Sequence, residues 1–113
     1  MKIINKSKGS VLADTIVVAE TPLKRMKGLL GRDIFNKGEA LIIKPSNSIH
    51  TFFMRFPIDL LFVDRNNRIV KAVSSLKPYR LIPICWHGKY VIELPAGTIL
   101  ASSTQPGDSL QIS

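Results

Sequence analysis

The sequence predicts a mainly β domain: a small antiparallel β-sandwich or partly closed barrel of about seven short strands, with one short α-helix near residues 22–30. Three observations carry this. Apolar and β-branched runs recur at short spacing, punctuated by Gly, Pro, Asn and Ser turn chemistry. A single segment, beginning at Thr21-Pro22, has both helical periodicity and terminal signals. The chain has 113 residues, enough to bury a core without staples, and residues 1–113 are expected to form a single domain.

In chain order, Lys2–Asn5 reads as a first strand and Lys6-Ser7-Lys8-Gly9 as a turn. Val11–Glu20 is β-branched and apolar, a second strand. Thr21 can cap a helix, Pro22 suits its first position and Gly31 its exit. On that helix Leu23, Met26, Leu29 and Leu30 fill one arc, while Lys24, Arg25 and Lys27 point elsewhere. Gly28 costs about 1 kcal/mol of helix propensity against Ala, which suggests close approach of another backbone. Asp33–Gly38 reads as a turn or a short second helical turn, and Glu39–Lys44 as a strand ended by Pro45. After the Ser46-Asn47-Ser48 loop, Ile49–Phe56 is expected to be extended, with Pro57 holding Phe56 out of helical space. Ile58–Asp64 is a strand, 65–68 a hairpin turn with Asn tolerant of positive φ, and Ile69–Leu76 the antiparallel return. Lys77–Gly88, with Pro78 and Pro83, is expected to be a long surface loop. Lys89–Leu94 is a strand closed by Pro95-Ala96-Gly97, Pro106-Gly107-Asp108 a turn, and Leu110–Ser113 the last strand.

Composition narrows the function classes. The chain carries 16 Lys+Arg against 8 Asp+Glu, a formal charge of +8. No acid lies between Asp64 and Glu93, a stretch holding Arg65, Arg68, Lys71, Lys77, Arg80 and Lys89. Tyr90–Ser113 reverses this, with Glu93 and Asp108 and no base. Such a balance suits an anionic partner or simply a solvated face. The longest apolar runs fall far short of the ~20 residues of a membrane span. Only Ile3 and Ile4 are apolar before Asn5-Lys6, so no secretory leader is read, and a cytoplasmic location is expected if the chain is full length. The single cysteine, Cys85, excludes an internal disulfide and any Cys-x-x-Cys zinc knuckle.

Candidate chemistry concentrates in residues 49–64, where Asp59 sits inside an apolar run. Alternation sends Ile58, Leu60 and Phe62 to one face and Asp59, Leu61 and Val63 to the other. A carboxylate there must be paired, protonated or at a strand end. His50 nearby raises an acid/base pair; a structural anchor is the alternative. Glu93 is a second carboxylate in an apolar strand, with Val91 on its face and Tyr90, Ile92 and Leu94 on the other. On neighbouring strands Asp59 and Glu93 would make a glycosidase-type pair. Cys85 and His87 could meet His50 around a metal, but no spacing brings residue 50 to residue 85, and neither metal nor cofactor is expected. Met54 among Phe52, Phe53 and Phe56 suggests an adaptable apolar patch. No P-loop, dinucleotide fingerprint, His-Glu-x-x-His or Gly-x-Ser-x-Gly occurs.

Three motifs add a resemblance: Arg-Met-Lys-Gly-Leu-Leu-Gly-Arg at 25–32, residues 50–64, and Ile-Glu-Leu-Pro-Ala-Gly at 92–97. Together, with Gly107-Asp108, they resemble the bacterial and archaeal family called domain of unknown function 192, or uncharacterised protein family 0127, over roughly residues 11–112. Here Leu30 stands where many members have Met, Phe53 where they have Trp, and Phe56-Pro57 where they often have Asn-Thr. The resemblance implies a small β-rich domain and no established activity; some relatives look exported. The expectation is a non-enzymatic binding or interaction module with its site around residues 50–59. In it His50, Thr51, Phe53, Met54, Asp59 and Glu93 line the site, and Arg25, Arg32 and Arg55 hold an anionic small molecule or protein partner. The alternatives are a small enzyme using Asp59, Glu93 and His50, and, more weakly, nucleic-acid binding through 65–89, where only Tyr79 and Trp86 could stack.

Overall fold

The computed structural model of the protein describes residues 1–20, 34–51 and 54–113. Among them ten strands and one helix form three sheets. The strands are β1 (Ile3–Asn5), β2 (Ser10–Ala13), β3 (Thr15–Ala19), β4 (Glu39–Ile43), β5 (Ile49–His50), β6 (Ile58–Val63), β7 (Ile69–Leu76), β8 (Leu81–Ile82), β9 (Tyr90–Pro95) and β10 (Leu110–Ile112). The helix, α1, is Thr98–Ser102. A five-stranded sheet in the order β3-β4-β9-β6-β7 is the centre of the molecule; β10-β1-β2 and β5-β8 are the smaller sheets. The protein is therefore mainly β and made of packed sheets, and among the described residues no sheet closes into a barrel.

The large sheet has two apolar faces. On the first, Ala40, Ile42, Leu61, Val63, Ile92 and Leu94 pack against Ile3, Leu12 and Leu110 of the three-stranded sheet and Ile99 of α1. On the second, Leu41, Ile43, Ile58, Leu60, Phe62 and Val91 pack with Met54, Phe35, Ile49, Phe56, Ile82 and Cys85. Strands β6 and β9 lie in the middle and are buried along their whole lengths. Burial on both faces is why their sequences are almost continuously apolar. The edge strand β3 instead alternates between exposed and part-buried positions.

Two expectations are corrected. The run from Val11 to Glu20 is two strands: β2 belongs to the small sheet and β3 to the large one. The chain changes sheet at Asp14, where the N–H groups of Asp14 and Thr15 both donate to Gly38 O at 2.9 and 3.0 Å. Gly38 has φ +92°, and a Cβ there would lie 3.0 Å from Asp14 Oδ1, so the switch needs glycine. The large sheet is also not purely antiparallel, since β3 pairs parallel with β4. A parallel pair needs a crossover of a dozen or more residues, and the β3–β4 connection has that length. The helix expected near 22–30 falls in this connection and lies outside the described residues. The helix that is described, α1, follows Pro95-Ala96-Gly97 and was not expected.

The ends of the chain are tied by a polar cluster. Buried Asn5 donates through Nδ2 to Thr104 Oγ1 (3.0 Å) and Asp108 Oδ2 (2.9 Å), while its Oδ1 accepts from the Lys8 N–H. Burial of Asp108 opposes its charge, but Asn5, the Gln105 N–H and the Lys8 ammonium outweigh it and hold the carboxyl below its ordinary value.

Candidate functional site

Strand pairing makes Asp59 and Glu93 close neighbours in register. In the β6–β9 ladder Asp59 is opposite Leu94, and Leu60 is opposite Glu93. The two carboxylates nonetheless point away from each other. Asp59 shares the first face with Leu61 and Val63; Glu93 lies between Leu41 of β4 and Leu60 of β6, on the second face. A sheet separates them, so they do not form the carboxylate pair of a glycosidase.

Asp59 is completely buried and fully hydrogen-bonded. Its Oδ1 accepts from the Ser75 N–H at 2.8 Å. Its Oδ2 accepts from the N–H groups of Gly97 (3.1 Å) and Ile99 (2.8 Å). Those last two are donors at the start of α1 that the helix cannot satisfy itself. Gly97 and Ser75 both sit at positive φ, 98° and 52°. One carboxylate thus caps a helix from another strand and fixes two turns. A groove of about 430 Å³ runs over this helix, lined by Val11, Pro95, Gly97, Thr98 and Ser102 among others; Asp59 does not line it.

Glu93 has the opposite environment. It is 5% exposed, and its Oε2 is buried with no hydrogen-bond partner among the described residues. Desolvation pushes its pKa up from 4.5 to about 8, so it holds its proton at neutral pH. A neutral carboxyl can donate one hydrogen bond and accept another.

The other expected residues separate into buried and exposed groups. Thr51 is buried, and its hydroxyl is a staple for the following loop. Its Oγ1 donates to Lys77 O (2.7 Å) and accepts from the Arg80 N–H (2.9 Å). Its backbone accepts from Tyr79 N and donates to Arg80 O. Met54 is 5% exposed and packs into the second-face core. His50 is exposed on β5, opposite Leu81, and Arg55 is exposed as well. His50 and Asp59 do not meet as an acid/base pair, because both Asp59 oxygens are taken by backbone N–H groups. Arg25, Arg32 and Phe53 lie outside the described residues. Cys85 is half-buried against the second-face core and His87 is exposed. Among the described residues, no three His, Cys, Asp or Glu side chains are grouped to hold a metal ion.

Sequence reasoning missed the partners of Asp59. Pro95-Ala96-Gly97 reads in sequence as a turn that ends a strand, whereas in the structure Gly97 is the N-cap of α1 and brings no side-chain cap of its own.

The comparisons with known proteins agree with this fold. The family domain of unknown function 192 (DUF192, Uncharacterized ACR) matches residues 3–112. A UPF0127 protein of Thermococcus sibiricus is 32% identical over 112 residues, covering 96% of this chain and 72% of that protein. A protein of unknown function from Novosphingobium aromaticivorans has the same fold, with a TM-score of 0.83 at 21% identity over 98% of this chain and 82% of its own. A chain from Sinorhizobium meliloti, provisionally named a transcription regulator, superposes with a TM-score of 0.78 at 23% identity, over 97% of this chain and 89% of that one.

Proposed function

This chain belongs to the DUF192 family, and from that premise we propose that it is a non-catalytic ligand-binding domain whose site lies on the second face of the large sheet, at Glu93. One observation carries the reading: Oε2 of Glu93 is buried on a central strand with no hydrogen-bond partner among the described residues. Buried polar groups are normally satisfied, and leaving one unsatisfied costs about 1–3 kcal/mol. The other two buried carboxylates among the described residues follow that rule. Glu93 departs from it, which is expected where a ligand supplies the missing bond.

The surroundings suggest the ligand class. Leu41, Leu60, Val91 and Met54 give the face an apolar character. An uncharged carboxyl can donate to a carboxylate or pair with an amide. The ligand is then a small molecule with an apolar body and a carboxylate or amide end. In this reading Arg55, together with Arg25 and Arg32, supplies guanidinium groups for the anionic end. His50 stands at the exposed margin of the same segment. The catalytic alternative has less support, since Asp59 and Glu93 lie on opposite faces of the sheet and both Asp59 oxygens accept from backbone N–H groups.

The experiment is a titration with a panel of small carboxylic acids and amides, read by thermal shift and by the backbone amide signals of Leu41, Leu60 and Glu93. A ligand at ~100 times its dissociation constant adds about 2.7 kcal/mol, a visible rise in Tm. Glu93→Leu should remain folded and lose the response. A panel that moves none of these signals, or moves them equally in Glu93→Leu, would overturn the reading.

A further inference from the structure

Among the described residues, nine large apolar side chains are exposed, and four of them fall within eight residues: Tyr79, Leu81, Ile84 and Trp86. Single exposed apolar residues are ordinary on a protein surface; a run of them on one loop is not. The loop is not loose. Ile82 and Cys85 turn inward into the second-face core. The Thr51 hydroxyl ties Lys77 and Arg80, and Cys85 N donates to Asn47 O at 2.7 Å. With 82 and 85 turned in, residues 81, 84 and 86 are presented outward, Trp86 at 81% exposure.

Among the described residues, the charges on this loop and on the segment that supports it are basic. Lys77 and Arg80 are exposed at the beginning of the loop, and no acid occurs between Leu76 and Lys89. The supporting segment, Lys44–Thr51, contains no acid either. Glu20 lines a hollow with Lys44, Pro45, Lys89 and Tyr90, and Asp64 acts on Tyr90, at the ends of these segments away from residues 79–86.

We infer that the 77–86 loop is a docking surface for an anionic lipid bilayer, with Tyr79, Leu81, Ile84 and Trp86 entering the headgroup boundary and Lys77 and Arg80 facing the lipid phosphates. Trp and Tyr favour that boundary because their rings are amphipathic, and bases beside them are drawn by the negative surface. Leu81 and Ile84 decide against nucleic acid: they have no ring to stack on a base and gain nothing from a phosphate backbone. The attachment is peripheral, since among the described residues no helix is long and apolar enough to cross a membrane. This inference is independent of the Glu93 reading and stands or falls separately.

Trp86 is the only tryptophan, so its emission reports on the loop alone. The full chain would be mixed with vesicles of pure phosphatidylcholine and with vesicles containing phosphatidylserine at roughly a two-to-one ratio. Expected are co-sedimentation with the anionic vesicles, a blue shift of Trp86 emission, protection from acrylamide, and weakening as salt is raised. Arg80→Ala should lower partitioning about fivefold, in line with one base near the surface. Leu81→Ser combined with Ile84→Ser should abolish it with the far-UV dichroism unchanged. No sedimentation with either vesicle would overturn the inference, as would sedimentation that leaves Trp86 open to acrylamide. A single-stranded oligonucleotide that shifts Trp86 emission where the vesicles do not would overturn it in favour of a nucleic-acid face.

Discussion

Asp59 and Glu93 stand one register step apart on adjacent strands, and the sheet between them gives them opposite tasks. On the first face Asp59 has three backbone donors within 3.1 Å and needs nothing more. On the second face Glu93 has apolar neighbours and a buried oxygen with no donor among the described residues. Both are buried, Asp59 at 0% and Glu93 at 5% exposure. What differs is whether the backbone turns its N–H groups toward the carboxyl. Depth alone therefore does not distinguish an anchor from a site; the accounting of hydrogen bonds does.

Breaking the anchor should have the largest effect. Asp59→Ala strands the N–H groups of Ser75, Gly97 and Ile99, and should destabilise the domain by about 3–5 kcal/mol in urea unfolding. Asp59→Asn keeps one acceptor oxygen and should lose less. Equal, small losses for both would show that α1 does not depend on this cap.

Glu93 sharpens the contrast through pH. In the folded chain it keeps its proton up to about 8, whereas the unfolded chain releases it near 4.5. Between those values the folded state binds the extra proton, so stability is fullest below 4.5 and is lost as pH rises toward 8. At about 1.4 kcal/mol per pH unit the loss should approach about 5 kcal/mol, and Glu93→Gln should remove most of this slope. Asp108 acts in the other direction: its lowered pKa means stability lost as pH falls into the acid range, below the window in which Glu93 titrates. A wild-type stability that is level from pH 5 to 8 would show that Glu93 is charged, and so partnered.

Much of this contrast was legible from the residues. Alternation within Ile58–Val63 and Tyr90–Leu94 placed both carboxylates on their proper faces, because a strand has a period of two and each neighbour there is unambiguously apolar. Alternation also carried the information that adjacent strands can hold their acids on opposite faces, but only once register is known, and register depends on pairing across more than thirty residues. The three donors to Asp59 come from β7 and from the start of α1, both distant in sequence, so the nature of its pairing was not readable. The split at Asp14 was hidden for a related reason: β2 and β3 are each locally β-forming, and what divides them is Gly38, which approaches from beyond the crossover. Thr51 looked like a polar residue in an extended run, and its role as a staple required knowing that 77–80 lies beside it.

The smallest effects test whether the second face is built in layers. Thr51→Val keeps the shape of the side chain and removes the hydroxyl, leaving Lys77 O and the Arg80 N–H without this partner. It should cost about 1–2 kcal/mol, because the valine cannot replace either bond. Trp86→Ala, by contrast, removes a side chain that is 81% exposed and should change stability by less than about 0.5 kcal/mol. The two residues hold and decorate the same loop, so the pair separates its scaffold from its surface. Thr51→Val should loosen the loop and speed amide exchange at Tyr79 and Arg80, whose N–H groups it binds. Trp86→Ala should leave that exchange unchanged while weakening vesicle binding. If Trp86→Ala also raised exchange at Tyr79 and Arg80, the ring would be part of the packing, and its exposure would no longer mark a surface kept free for a partner.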